Sequence, residues 1–153
     1  MPRVMIETFD ELEARVGDEL VVSDWLEITQ QRVDLFAEAT GDHQWIHVDP
    51  ERARRESPFG GPVAHGYLTL SLLAKFTAES FGFAGSRMGV NYGLNRVRFT
   101  DPVPVGARLR ARYRLDRFER IAGGVQLQFL VTMEREGSAK PVMVAETVSR
   151  RYF

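Results

Sequence analysis

Two side chains able to exchange protons near neutral pH, Asp42 and His47, stand five residues apart in the polar stretch TGDHQWIHVDP. A carboxylate and an imidazole in one loop can converge on a single water and cover both proton roles, since histidine titrates within the physiological range. The spacing does not assign which group gives and which takes each proton, and a coupled pair titrates as a pair. His43 and His47 also have the i, i+4 spacing of a zinc pair, with Asp42 and Asp49 near by. That geometry needs an uninterrupted helix, and the stretch carries loop signals, so no metal is expected. Each residue has a plain structural reading as well: Asp42 as a turn residue after Gly41, His47 as a half-buried histidine, Asp49 as a helix cap.

Composition removes several other chemistries. The chain has no cysteine, which excludes thiol catalysis and a disulfide framework. No Gly-x-Ser-x-Gly elbow or phosphate loop is present, and Gly82, Gly85 and Gly89 follow a helical pattern rather than a strand. Twenty basic against 21 acidic residues give a net charge of −1, so no overall attraction to nucleic acid or to a membrane surface is expected. The start lacks the apolar run of a signal peptide, and no later run is long enough to span a bilayer. A cytoplasmic protein of one domain, residues 1–153, is the expectation.

The elements that must position Asp42 and His47 follow from periodicity. Thr8 and Glu11 have capping-box spacing for a short helix from Phe9 to Val16 that stops at Gly17. Leu20 to Ile28 reads as an edge strand, Thr29 as the cap of a helix ending at Gly41, and residues 42–48 as loop. Asp49-Pro50 starts a new helix reaching Arg55. From His65 to about Phe81 apolar residues go nearly all round, as in a helix enclosed by protein. Beyond Gly85 the period changes to alternation. Ala107 to Asp116, Val125 to Met133, and more weakly Val142, Val144, Val148 and Tyr152 predict strands. Gly123-Gly124 and residues 136–141 turn the chain between them. The apolar phase in Met88 to Phe99 shifts near Asn95-Arg96, predicting a bulge, and Pro102 and Pro104 mark a corner. Four or five antiparallel strands must therefore cover one long apolar helix, an α+β arrangement with the sheet curled round the helix.

The residues Phe36-Ala37, Thr40-Gly41-Asp42, His47, Asp49, Phe59-Gly60 and Ala64-His65-Gly66 resemble, at matching spacing, the recurring pattern of the MaoC-like hydratase and dehydratase family. Gln44-Trp45 stands where many members have Asn-Pro, and Asn91-Tyr92-Gly93-Leu94-Asn95 is similar to the nodulation protein N-like branch. The resemblance implies a hot dog fold and an (R)-specific enoyl-CoA hydratase. Such an enzyme adds water across a trans-2-enoyl thioester to give a 3-hydroxyacyl thioester, or reverses that reaction.

On this resemblance Asp42 and His47 are the catalytic pair, and Gly66 places its backbone N–H at the start of the core helix. There unpaired N–H groups and the helix dipole favour an enolate-like thioester oxygen. His65 reads as a residue holding the loop, and Gln44, His65, Tyr67, Asn91 and Asn95 form the candidate substrate-contacting set. The arginines of residues 52–55, with Arg96 and Arg98, are possible partners for coenzyme A phosphates, though solvated charge is their ordinary role. An acyl-CoA or acyl carrier protein thioester is the implied substrate, with no cofactor, and a homodimer is the implied assembly. Dehydration on acyl carrier protein, thioester hydrolysis and non-catalytic acyl-thioester binding on the same fold are the alternatives.

Overall fold

The structure, a computed structural model, describes residues 3–153. Strand β1 (Val4–Ile6) leads into α1 (Phe9–Glu13), where Thr8 Oγ1 accepts from the Glu11 N–H at 3.2 Å. The helix is shorter than its sequence suggests, and turns carry the chain to Gly17. Where one strand from Leu20 to Ile28 is expected, there are two, β2 (Glu19–Val22) and β3 (Leu26–Glu27). Between them Ser23 Oγ accepts from the Ala111 N–H at 2.9 Å, so a side chain takes a place in the ladder.

Helix α2 (Gln30–Thr40) is capped by Thr29, whose hydroxyl accepts from the Arg32 N–H at 3.1 Å. It ends at Gly41 in the left-handed region, φ 79°, with the Gly41 N–H returned to Ala37 O at 2.8 Å. Residues 42–48 are not all loop: α3 (Trp45–Val48) is one helical turn. No side chain caps it, and tertiary bonds hold it instead, which local sequence cannot announce. The Val63 N–H donates to Ile46 O at 3.0 Å, and Gln30 Nε2 donates to His47 O at 2.8 Å. Helix α4 (Pro50–Glu56) starts as its sequence predicts, with Asp49 accepting from the Arg52 N–H at 3.1 Å.

The long apolar helix comes as two segments, α5 (Gly66–Ser71) and α6 (Leu73–Ser80), joined through Leu72. Ser71 Oγ donates back to Tyr67 O at 2.7 Å, a bond of the kind that bends helices. Leu68, Leu72, Leu73 and Phe76 face the core, whereas Tyr67 is 70% exposed, so the helix is less enclosed than its composition suggests.

Strand β4 (Phe81–Phe83) pairs parallel with β1. The main sheet is antiparallel and six-stranded, built from β2, β3, β5 (Met88–Phe99), β6 (Arg108–Ile121), β7 (Gly124–Arg135) and β8 (Met143–Tyr152). Its order is β2-β6-β7-β8-β5, with β3 also on β6. Leu109, Ala111, Tyr113 and Leu115 point inward from β6, while the outward arginines Arg108, Arg110, Arg112 and Arg114 pair with acids. The expected bulge in β5 is there, as a register shift between Leu94 and Arg96. Strand β8 is one residue out of phase with its sequence reading. Ala145, Thr147, Ser149 and Arg151, not the valines, lie opposite the inward-facing Val131, Phe129, Leu127 and Val125 of β7. The helix packs into this inner face, with Phe76 only 1% exposed and Thr77 Oγ1 bonded to the Tyr113 hydroxyl at 3.0 Å. A sheet wrapped round a helix is the hot dog arrangement.

Candidate active site

The turn α3 exists to hold one ring. His47 is buried, and its Nδ1 lies 2.5 Å from Val63 O. A carbonyl can only accept, so Nδ1 carries the proton and Nε2 is left with a free lone pair, the base form of the ring. Burial is the main reason its pKa falls below the ordinary 6.5; the neighbouring His65 also lowers it, while the Val63 carbonyl and Asp42 oppose. A histidine so placed is neutral at physiological pH and ready to accept a proton.

Asp42 is brought to the same spot by His65. The His65 Nε2–H donates to the Asp42 main-chain carbonyl at 3.0 Å, and the Asp42 carboxylate accepts from the Gln44 N–H at 3.4 Å. The His65 ring is stacked on His47, centroids 3.9 Å apart, and packs against Phe36 on its other side. One ligand-type atom from each of Asp42, His47 and His65 lies within 4.8 Å of the others. Two hydrogen bonds of about 2.8 Å span such a gap through one water. Two imidazoles and a carboxylate could equally hold a metal ion. His43, which the i, i+4 spacing would pair with His47, lies instead 3.9 Å from Glu38.

Gly66 is the first residue of α5, so its N–H has no partner within the helix. Together with His47 it lines a cleft of about 410 Å³ whose walls include Phe59, Thr69, Phe99 and Val103. The backbone comes close to an aromatic ring here: a Cβ on Gly66 would lie 3.1 Å from Phe99. Asp42 is exposed and is not among the residues that line the cleft; it meets the cleft only through its nearness to His47.

The other sequence candidates are spread out. Gln44 is exposed at the start of α3, and Tyr67 is exposed with its ring edge-on to Phe99 at 6.1 Å; neither lines the cleft. Asn91 borders a separate cavity alongside the helix, and Asn95 faces the other side of the sheet, donating to Gln128 Oε1 at 3.2 Å. Arg52 pairs with Glu56 and stacks on Trp45, and Arg96 and Arg98 border an outer pocket with Glu146. The sequence reading passed over Phe99 and Thr69, whose signals were an aromatic just before the Pro102 corner and the first of several polar residues in the apolar helix.

The MaoC like domain model matches residues 11–133. The chain belongs to the MaoC-like dehydratase family. It is 50% identical over 145 residues to the 3-hydroxyacyl-thioester dehydratase Z of Mycobacterium tuberculosis, covering 94% of this chain and 95% of the relative. It is 46% identical to nodulation protein N of Rhizobium leguminosarum bv. viciae, covering 89% and 86%. Among solved structures, the unliganded R-hydratase of Pseudomonas aeruginosa superposes with a TM-score of 0.69 at 24% identity, over 88% of this chain and 79% of that one. This MaoC-like protein is thus an enzyme of the dehydratase and hydratase type. Among the described residues no helix is long and apolar enough to cross a membrane.

Proposed function

We propose that this MaoC-like chain is an (R)-specific enoyl-CoA hydratase that adds water reversibly across a trans-2-enoyl thioester. The observation that carries the reading is the convergence of the Asp42 carboxylate and the His47 ring within 4.8 Å, beside the helix start at Gly66. Between them the two side chains hold a water. One of the pair accepts its proton as the oxygen bonds to C3, and a proton is delivered to C2. Negative charge gathers meanwhile on the thioester oxygen, and the Gly66 N–H donates to it. In the opposite direction the same groups remove water from a 3-hydroxyacyl thioester, which agrees with the name of the mycobacterial relative. His65 positions Asp42 through its carbonyl, and Asn91, which borders the hollow along the helix, is the proposed substrate contact beyond the centre; Gln44, Tyr67 and Asn95 line neither that hollow nor the cleft.

We read the chain as one domain that works as a cytoplasmic homodimer. Strand β5 supports the dimer: it is the sheet edge, and Met88, Val90, Tyr92, Leu94 and Phe99 are all exposed on it. A long apolar edge of this kind pairs with another strand in solution. The test of the activity is loss of enoyl absorbance when the purified protein meets crotonyl-CoA. Hydrolysis to free coenzyme A, or no reaction with any enoyl thioester, would replace this reading with thioester hydrolysis or acyl-thioester binding.

A further inference from the structure

A second hollow, of about 360 Å³, runs beside the helix between Leu70, Ala74 and Thr77 and the inner face of β5 and β8. Thr69 lines the cleft, and Leu70, the next residue of the helix, lines the hollow. Its far end, next to Phe81 and Phe83, is bounded by Arg151. This arginine occupies a core-facing position of the sheet, opposite the fully buried Val125 on one side and Gly89 on the other.

The outward arginines of β6 have acids beside them, whereas Arg151 has none among the described residues. Its guanidinium lies 4.1 Å over the Phe83 ring, and its Nε is buried with no hydrogen-bond partner. Burial lowers its pKa with nothing opposing. Gly89 keeps the space open, because any Cβ there would overlap Nη1 of Arg151. Arg3 and Arg87 stand outside the same end, in a pocket lined by no acidic residue, but each donates to a main-chain carbonyl, of Phe81 and Phe153 respectively. The Arg151 side chain is half-buried, and a partly desolvated cation with no acid beside it favours an anion as its partner. The planar guanidinium fork matches a carboxylate best.

We propose that the acyl group handled at the Asp42–His47 centre carries a carboxylate at its far end, which Arg151 binds, so that the enzyme prefers dicarboxylic over plain alkyl acyl thioesters. This takes the identity of the ligand from the hydratase reading. At about 1.5 Å per residue the helix from Gly66 to Thr77 spans roughly 16 Å, the reach of an extended acyl chain of roughly a dozen carbons or more. Arg151 is here a specificity residue and takes no part in moving protons.

The test uses saturated thioesters, which cannot be hydrated, so it does not depend on turnover. Dodecanoyl-CoA is compared with dodecanedioyl-CoA, and tetradecanoyl-CoA with tetradecanedioyl-CoA, by titration calorimetry on wild type, Arg151→Gln and Arg151→Leu. Wild type is expected to bind one of the dicarboxylic thioesters roughly ten- to a hundredfold more tightly than its alkyl counterpart. Both variants are expected to lose that preference and keep their alkyl affinity. Should the variants fail to fold, the wild-type preference alone decides. Equal binding of the two kinds, tighter alkyl binding, or no binding of either overturns the proposal, and crotonyl-CoA turnover then shows separately whether the hydratase reading stands. Binding of inorganic phosphate that depends on Arg151, without any dicarboxylic preference, would assign the arginine to an anion from solvent and also overturn it.

Discussion

His65→Gln and His65→Leu separate two influences that this ring has on the proposed catalytic pair, Asp42 and His47. Its Nε2–H donates to the Asp42 carbonyl at 3.0 Å, and its proximity helps lower the pKa of His47. The Gln amide can still donate to that carbonyl, whereas Leu cannot. Losing the bond costs about 0.5–1.5 kcal/mol for an ordinary pair, and up to about 3 kcal/mol when a buried acceptor is left unpaired. At about 1.4 kcal/mol per factor of ten, turnover of the Leu variant should fall roughly two- to a hundredfold if the loop holds its position in the transition state. The Gln variant should keep most of its plateau rate. With His47 as the member of the proposed pair that accepts the proton, turnover needs its neutral ring, and the rate falls as pH drops through its pKa. That pKa lies below 6.5, first because of burial and further because of His65, against the opposing Val63 carbonyl and Asp42. Removing His65 lets it rise, and the acid limb of kcat/KM moves to higher pH in both variants. The assay is kcat/KM for enoyl thioester hydration across the acid and neutral range. A Leu variant with the wild-type plateau and an unmoved limb would refute the positioning argument.

Activity should survive exhaustive chelation, because Asp42, His47 and the Gly66 N–H supply each role; loss on chelation with recovery on adding zinc would make the Asp42, His47 and His65 cluster a metal site. Sedimentation should give a dimer at assay concentration, and Leu94→Asp on the exposed β5 edge should shift it towards monomer; a fully active wild-type monomer would contradict this. Tyr113→Phe leaves the Thr77 hydroxyl without its 3.0 Å partner beneath the helix and should cost about 1 kcal/mol, read as a melting temperature lower by about 2–4 °C. An unchanged melting temperature would mean the bond contributes nothing.

Features written in consecutive residues were legible in the sequence. The arginine-and-apolar alternation of β6 declares one wet and one dry face, and Thr29 and Asp49 cap their helices through side chains three residues from the N–H they serve. Features held from a distance were not. Turn α3 depends on Gln30 and Val63. The valines of strand β8 offer an apolar row, but Thr147, Ser149 and Arg151, which line the hollow beside the helix, take the inner face. At the site, residue type and spacing pointed to Asp42 and His47, but the stacking of His65 on His47 joins residues 18 apart and is a product of the fold.

The shared-water mechanism is tested most directly by turnover of an enoyl thioester in Asp42→Asn, His47→Gln and the double variant, each checked by circular dichroism for a native fold. General acid-base groups contribute about a hundred- to ten-thousandfold, so each single substitution should nearly abolish the reaction. Groups acting as a unit are non-additive, so the double variant should be little slower than the slower single one. A single variant that keeps most of its activity would contradict the catalytic assignment, and losses that multiply in the double variant would contradict the shared water.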